Sequence, residues 1–381
     1  MSLVVTNGPP PQQENGAVPP KKDNALEMAA GLPSNYRLEI DKCVKRIKEK
    51  GAKRVALQFP EGLLLFAAPI ADILESHTGA QMVILGDVTY GACCVDDYAA
   101  SAVGCDFLIH YGHSCLISIK DCTISNMMYV FVEIDIDVQH FVDTVKALVP
   151  PETRVAVIAT VQFISSMRAG VAMLKDYFHT APIVPQNRPL STGEILGCTS
   201  PKVDPASVDD VIYVGDGRFH LESFLIAHRT LNALQYDPYE KKMTRESYAF
   251  SEMRTIRREA IDVAQAAQSF AIVMGTLGRQ GNPRVVDRLM ALAKSKGKKI
   301  TLLLMSEIFP SKMAQLQDVD AYIQVACPRL SIDWGYAFDR PFLSPYEAEV
   351  ALGAVEWGEE YPMDHYSRDG GGWAVYTDKH L

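Results

Sequence analysis

What this 381-residue chain lacks narrows its class before any motif is read. No apolar run approaches the roughly 20 residues that a membrane-spanning helix needs, because charges interrupt the longest stretches. No membrane role is expected. Positive charge is in deficit: 37 Lys and Arg against 46 Asp and Glu leave a net charge of −9. Without the basic footprint of a general nucleic-acid binder, no direct nucleic-acid partner is expected. The first residues show no charged segment leading into an apolar core, so a secretory signal is not expected and the cytoplasm is the expected location. Also missing are a complete GxGxxG or GxxxxGK loop, an HExxH helix and any Ser-His-Asp pattern, so standard dinucleotide binding and hydrolysis have no support.

Eight cysteines are present, none in a CxxC pair. In a reducing compartment such thiols stay free, which gives weight to metal or redox roles. The hydrophobic fraction of 48% and the charged fraction of 22% are those of a soluble globular protein long enough for two or three domains. Residues 1–33 are rich in Pro, Gln, Asn and Lys and read as a disordered tail, with a first boundary after residue 34. A helix is predicted over 35–50, capped by Gly51. Three similar units follow. The first carries apolar strands at 53–59, 81–85, 106–110 and 128–132, the second at 154–160 and 209–214, the third at 269–275, 300–305 and 321–326. Helices are predicted over 63–77, 164–178 and 284–296, and a charged linking helix over 239–260 with Arg254, Arg257 and Arg258 exposed.

Strands alternating with helices at this rhythm build βαβ units and parallel sheets. The expected fold is α/β: three pseudo-symmetric Rossmann-like domains, each a short parallel sheet flanked by helices, around a central cluster site. Expected boundaries are 35–150 for the first domain, 151–262 for the second with its linking helix, 263–345 for the third and 346–381 for a C-terminal extension.

The chemistry gathers in loops at the carboxyl ends of strands, where α/β sheets place it. GDVTYGACCVDD, residues 86–97, sets Cys93 and Cys94 just past a strand; GEILGCTS carries Cys198; the strand AYIQVA runs into Cys327. The separations, 198 − 93 = 105 and 327 − 198 = 129, are far too long for a local metal knuckle. Three domains aiming these loops at one centre would still bring three thiolates together, a donor set suited to an iron–sulfur cluster with one iron open. On spacing alone, three unrelated buried cysteines are the better reading. The third unit also breaks register. Cys93 (or Cys94) and Cys198 follow the earlier strand of their units, whereas Cys327 follows the last one, where the others have His113 and Asp216.

Cys43, Cys105, Cys115 and Cys122 read as structural. The loops VGDGRFH and LGRQGNP could cradle an anionic or zwitterionic small molecule. Arg218, Arg279 and Arg329 could clamp a carboxylate or lie in ordinary ion pairs. His113 and His220 occupy matching loops of the first two units, and Glu61 beside Pro60 fits an acid at a helix start.

Several segments together are specific: QFPEGLLLFA, GDVTYGACCVDD, DFLIHYGHSCL, GEILGCTSP, YVGDGRFH and VEWGEEYPMDHY. They resemble the diphthamide biosynthesis protein family, over residues 35–366. The resemblance implies three similar domains that each give one cysteine to a [4Fe-4S] cluster, which maps onto Cys93, Cys198 and Cys327. Cys93 is preferred to Cys94 because the family motif is YGAC followed by a variable residue. It also implies S-adenosylmethionine as co-substrate, with non-standard radical cleavage of its bond from sulfur to the aminocarboxypropyl carbon. The 3-amino-3-carboxypropyl group then goes to a histidine of translation elongation factor 2, the first step towards diphthamide. The CxxxCxxC spacing of ordinary radical enzymes is absent here, as in this family.

Loop groups near such a cluster would hold the methionine carboxylate and amine, and the candidates are Gln58, Glu61, Tyr90, His113, Asp216, His220 and Arg329. The implied partners are a related second subunit in a heterodimer, the elongation factor as substrate and a small zinc-binding protein that donates electrons. Two other readings stand beside this one. A partner subunit could hold a cluster without doing the chemistry, which loss of one of the three cysteines would favour; a nucleotide-binding oxidoreductase is disfavoured by the missing GxGxxG.

Overall fold

Apolar runs of five residues such as RVALQ, FLIHY, VAVIA and AYIQV become strands buried almost throughout, the pattern of parallel sheets covered by helices on both faces. The structure is a computed structural model that describes residues 31–87 and 89–376. Most of the tail expected at 1–34 lies outside the described residues. Leu32 does not behave as tail: it is buried in the core beneath the first sheet.

Twelve of the strands form three sheets of four. A two-residue strand β1 (Tyr36–Arg37) precedes the first sheet, which contains β2 (Arg54–Gln58), β3 (Gln81–Leu85), β4 (Phe107–Tyr111) and β5 (Met127–Val130). Their order is β3-β2-β4-β5, all parallel. β6 (Glu133–Ile134) pairs antiparallel with β1. The second sheet runs β7 (Val155–Ala159), β8 (Asp210–Val214), β9 (Asn232–Asp237) and β10 (Lys242–Glu246), parallel except for the β9–β10 hairpin. The third contains β11 (Ser269–Gly275), β12 (Lys299–Met305), β13 (Ala321–Val325) and β14 (Phe342–Leu343), ordered β12-β11-β13-β14 and all parallel.

The repeat is visible in these orders. In the first and third sheets the leading strand sits between its immediate successor and the next strand along. The second sheet keeps the same plan with its flanking strand reduced to one residue: Ile183 pairs with Ala156, accepting from Val157 N–H at 2.8 Å and donating to Val155 O at 2.9 Å.

Two helix boundaries differ from the sequence reading. The helix expected over 35–50 covers only Ile40–Lys50, because Tyr36–Arg37 is drawn into β1. Its C-cap Gly51 is left-handed, with φ +61°. The charged stretch expected as one helix over 239–260 begins as the hairpin strand β10, and the helix is Phe250–Ala266. Asp237 makes the turn by accepting the Tyr239 and Glu240 N–H groups at 2.8 and 3.0 Å. Arg257, expected to be exposed, is 1% exposed: it forks onto Glu347 at 2.6 and 2.7 Å and donates to Phe342 O at 2.7 Å. A buried guanidinium needs such partners, and Glu347 lies 90 residues away in sequence.

The chain packs into two compact units. One comprises the chain up to Val184 with Val208–Asp216 and Asn232–Glu246, and holds the first and second sheets. The other comprises Pro185–Ser207, Gly217–Leu231 and Ser247–Leu381, and holds the third. Among the described residues no helix is long and apolar enough to cross a membrane.

Candidate functional site: the cysteine loops

In the first unit, Gln58 is the last residue of β2 and is 1% exposed. A buried amide must be hydrogen-bonded, and Gln58 spends its side chain on the cysteine loop. Its Nε2 donates to Cys94 O at 2.8 Å, and its Oε1 accepts from Asp96 N–H at 3.2 Å. These bonds fasten the short 3-10 turn Ala92–Cys94 to the end of the sheet. Cys94 is buried and Cys93 half-buried, with their sulfurs 3.9 Å apart. Asp96 then caps the helix Asp97–Ala102 by accepting from Ala99 N–H at 2.9 Å.

Gln58 also reaches a histidine pair. His110 Nδ1 lies 2.8 Å from Gln58 Oε1, and His110 Nε2 lies 3.1 Å from His113 Nδ1. His110 is fully buried, and burial, reinforced by His113, holds its pKa well below the ordinary value, so the ring is neutral. An amide oxygen only accepts, so the single ring proton of His110 sits on Nδ1. Its Nε2 must then accept, which places a proton on His113 Nδ1. Any exchange of a hydrogen bond between His113 and a ligand therefore goes through Nε2. Gly112 lets the two loops meet: its φ is +84°, and a Cβ there would lie 2.7 Å from Pro60 Cγ.

The other candidates of this unit are less enclosed. Tyr90 is 73% exposed, Glu61 is exposed at the start of the 3-10 helix Glu61–Phe66, and Asp216 at the end of β8 lies 3.5 Å from Gln162 Nε2.

In the second unit, Cys198 sits in a tight turn. Leu196 and Thr199 exchange backbone hydrogen bonds of 2.9 and 3.4 Å, leaving Gly197 and Cys198 at the tip. A Cβ on Gly197 would fall 2.0 Å from the Phe219 ring, so only glycine fits. Cys327 lies just past β13 and begins the helix Pro328–Trp334, with proline at the first helical position where its missing N–H costs nothing. Gln324, fully buried in β13, repeats the device of Gln58: its Nε2 donates to Cys327 O at 2.9 Å and to the Ser331 hydroxyl at 3.1 Å.

Arg329 ties the two loops together. Its Nε donates to Asp333 at 2.9 Å, one terminal nitrogen to Gly197 O at 3.3 Å and Phe219 O at 2.8 Å, and the other to Glu222 at 2.7 Å. The guanidinium also lies 4.3 Å from the centre of the Phe219 ring. All three of its nitrogens have internal partners, so its visible work is to hold the Cys198 turn against the helix that Cys327 begins.

The Cys198 thiol is pushed up to about 12, first by burial and then by Cys327; the Thr199 hydroxyl at 3.7 Å and Arg329 act in the opposite sense. His220 is half-buried beside Arg329, and burial followed by that charge lowers its pKa to about 4, so it is neutral. His365, buried next to the Cys198 turn, leaves its Nε2 without a hydrogen-bond partner among the described residues.

All eight cysteines are free thiols. Cys43, Cys94 and Cys105 are buried, but Cys115 is exposed and Cys122 half-buried. Among the described residues no three His, Cys, Asp or Glu side chains are placed to hold one metal ion. Cys198 and Cys327 lie on loops joined by Arg329, which also takes up the Glu222 and Asp333 carboxylates, and the buried Nε2 of His365 beside the Cys198 turn is unsatisfied. That set fits a soft metal group.

Sequence reading gave no role to His110, Gln324, Thr199, Glu222, Asp333 or residues 367–375, and used 363–366 only as the end of a family segment. Asp333 had a signal, since it stands four residues after Arg329 on a helix. Gln324 had one too, as a polar residue inside an apolar strand. Glu222 had none.

Comparison with known proteins identifies the family. The model of the putative diphthamide synthesis protein family matches residues 59–362. The chain is 52% identical over 363 residues to 2-(3-amino-3-carboxypropyl)histidine synthase subunit 1 of Dictyostelium discoideum, covering 93% of this chain and 76% of that one. It is 50% identical over 363 residues to the protein of that name from Homo sapiens, covering 94% and 82%. Its fold is similar to two crystal structures of Dph2 from Pyrococcus horikoshii. One, with a 4Fe-4S cluster, matches at a TM-score of 0.71 and 27% identity over 87% of this chain and 94% of that chain; the other matches at 0.70. The chain thus belongs to the diphthamide synthesis protein family.

Proposed function

We propose that this chain is the cluster-bearing catalytic subunit that transfers the 3-amino-3-carboxypropyl group from S-adenosylmethionine to a histidine of translation elongation factor 2. The observation that carries the reading is Arg329, which reaches from the helix that Cys327 begins to the Gly197 carbonyl beside Cys198, in a chain of this family. Cys93, Cys198 and Cys327 are the proposed ligands of a [4Fe-4S] cluster. Residues 35–150, 151–262 and 263–345 are proposed as three repeats, each contributing one of them, with 346–381 as an extension. When bound, the cluster would supply the electron that breaks the bond from sulfur to the aminocarboxypropyl carbon.

The protein's own groups would bind and orient. His113, with Nδ1 engaged by His110, offers Nε2 to the methionine amine. His220 is neutral and brings hydrogen bonding without charge. Gln58 and Arg329 act by holding their loops, while Glu61, Tyr90 and Asp216 are the exposed candidates for direct contact. The related second subunit, the small zinc-binding electron donor and a cytoplasmic location belong to the same proposal.

The test is anaerobic purification with the second subunit, iron and sulfide analysis, and transfer of labelled aminocarboxypropyl to the elongation factor. Cys198→Ala and Cys327→Ala should each lose iron and transfer together. Full iron in both variants would sink the ligand assignment. Transfer that survives with neither cysteine present would instead make this chain a non-catalytic partner.

A further inference from the structure

The match to the family model ends at residue 362, four residues short of the resemblance read from the sequence, and the chain beyond it grips the Cys198 turn. Ser200 N–H donates to Met363 O at 2.8 Å, Thr199 bridges Asp364, and His365 N–H donates to Cys198 O at 3.3 Å. Tyr366 N–H then donates to the Thr199 hydroxyl at 3.0 Å. The turn Leu196–Thr199 so gains an antiparallel bridge from a segment more than 160 residues away in sequence.

That segment is closed on itself. The Asp364 carboxylate accepts from the Trp373 indole N–H at 2.7 Å and from Gly371 N–H at 3.0 Å, and Val375 N–H returns to His365 O at 2.7 Å. Trp373 packs edge-on against Tyr346, 4.8 Å between ring centres, and Tyr346 belongs to the core of the third sheet. Met363, Tyr366, Ala374 and Val375 are each less than 5% exposed. A chance surface excursion would not be buried and cross-bonded in this way.

We propose that residues 363–375 form a strap that positions Cys198 as a metal ligand, with Asp364 and Trp373 as its clasp. The strap supplies the order that a glycine-containing turn lacks. Bonds to the Cys198 carbonyl and to Thr199 and Ser200 after it hold the direction of its sulfur, as outer partners do for ligands in metal sites. This rests on the proposed role of Cys198, and the test separates the two.

Asp364→Ala, Trp373→Ala and the conservative Asp364→Asn are compared with the parent and with Cys198→Ser, all reconstituted anaerobically with iron and sulfide. Iron release to a ferrous chelator should accelerate about tenfold in the two alanine variants and less in Asp364→Asn. Amide hydrogen exchange at Cys198 and Thr199 in the iron-free proteins should rise, with β11 and β13 unchanged. The strap proposal falls if exchange at these amides stays at the parental rate. It falls equally if exchange rises while iron release stays within about twofold of the parent. If Cys198→Ser keeps its full iron, the ligand reading fails, and the exchange arm alone decides whether the strap orders the turn.

Discussion

The Cys93 and Cys198 loops present similar thiols by opposite means. The Cys93 loop is held from within its own repeat: Gln58, at the end of the neighbouring strand, satisfies Cys94 O and Asp96 N–H. The Cys198 turn has no such neighbour, because the strand that should precede it has shrunk to Ile183. It is held instead by Arg329, 132 residues away from Gly197, and by the segment after Pro362. Where the repeat supplies a strand, one glutamine suffices; where the strand is lost, distant chain must replace it. The Cys327 loop supports this, since it follows the full strand β13 and is held by Gln324 in the manner of Gln58.

The comparison makes its largest prediction at Arg329. Arg329→Met leaves Glu222, Asp333 and two backbone carbonyls without their buried donor. Breaking a fully buried pair costs about 3–5 kcal/mol, and with both carboxylates about a quarter exposed the loss should fall at or below the low end of that range. Chemical unfolding should show that loss, and iron content should fall with it. Arg329→Lys should rescue little, because an ammonium cannot reach the same set of acceptors. A stability equal to the parent's would mean that the long-range hold on Cys198 is incidental.

Next in size is a pair of glycine substitutions. Gly197→Ala drives a Cβ into the Phe219 ring, with an overpacking cost of about 1–3 kcal/mol, and it moves the Cys198 turn itself. Gly91→Ala, on the other loop, puts a Cβ 3.5 Å from Cys93 Sγ, an ordinary contact, and should stay within about 0.5 kcal/mol of the parent. Thermal melts and iron analysis of both proteins would test the contrast. Equal losses of iron in the two would erase the distinction between the loops.

How much of this was legible in the sequence follows the same division. The parallel sheets, most strands and the three cysteine loops announce themselves because apolar runs of five to seven residues and turn glycines are local signals. The hairpin strand β10 was missed because five residues with charges at three positions carry no apolar run, and its pairing with β9 decides the matter. Arg257 and Arg329 were read as surface or ligand-facing because their acid partners, Glu347 and Glu222, lie 90 and 107 residues away. A buried charge is invisible to periodicity when its partner is that distant. The family resemblance reached the cysteines, but not what holds them.

A smaller effect is expected at His110, which tests the local mode of holding. Its pKa in the folded chain is well below the ordinary 6.5, so the unfolded chain binds the proton more readily. The stability of the first unit should therefore be complete above about pH 6.5 and decline as pH falls below it, with a slope of up to about 1.4 kcal/mol per pH unit. His110→Asn keeps a donor towards Gln58 Oε1 and cannot titrate. Denaturant midpoints of the iron-free protein at pH 7.5 and 5.5 should differ less in this variant than in the parent. An unchanged difference would remove His110 from the account of acid sensitivity.

Tyr90 should give the smallest stability effect and the sharpest functional one. It stands on the Cys93 loop but is 73% exposed, so Tyr90→Ala should change stability by no more than about 0.5 kcal/mol. The loop is fastened by Gln58 and does not depend on this ring, so iron content should also be unchanged. If Tyr90 touches S-adenosylmethionine as proposed, aminocarboxypropyl transfer should nevertheless fall. Arg329→Met loses stability, iron and transfer together, whereas Tyr90→Ala should lose transfer alone. That split would distinguish a residue that contacts substrate from one that holds a loop. A Tyr90→Ala protein with parental transfer would leave the Cys93 loop with a ligand thiol and no substrate contact from its exposed face.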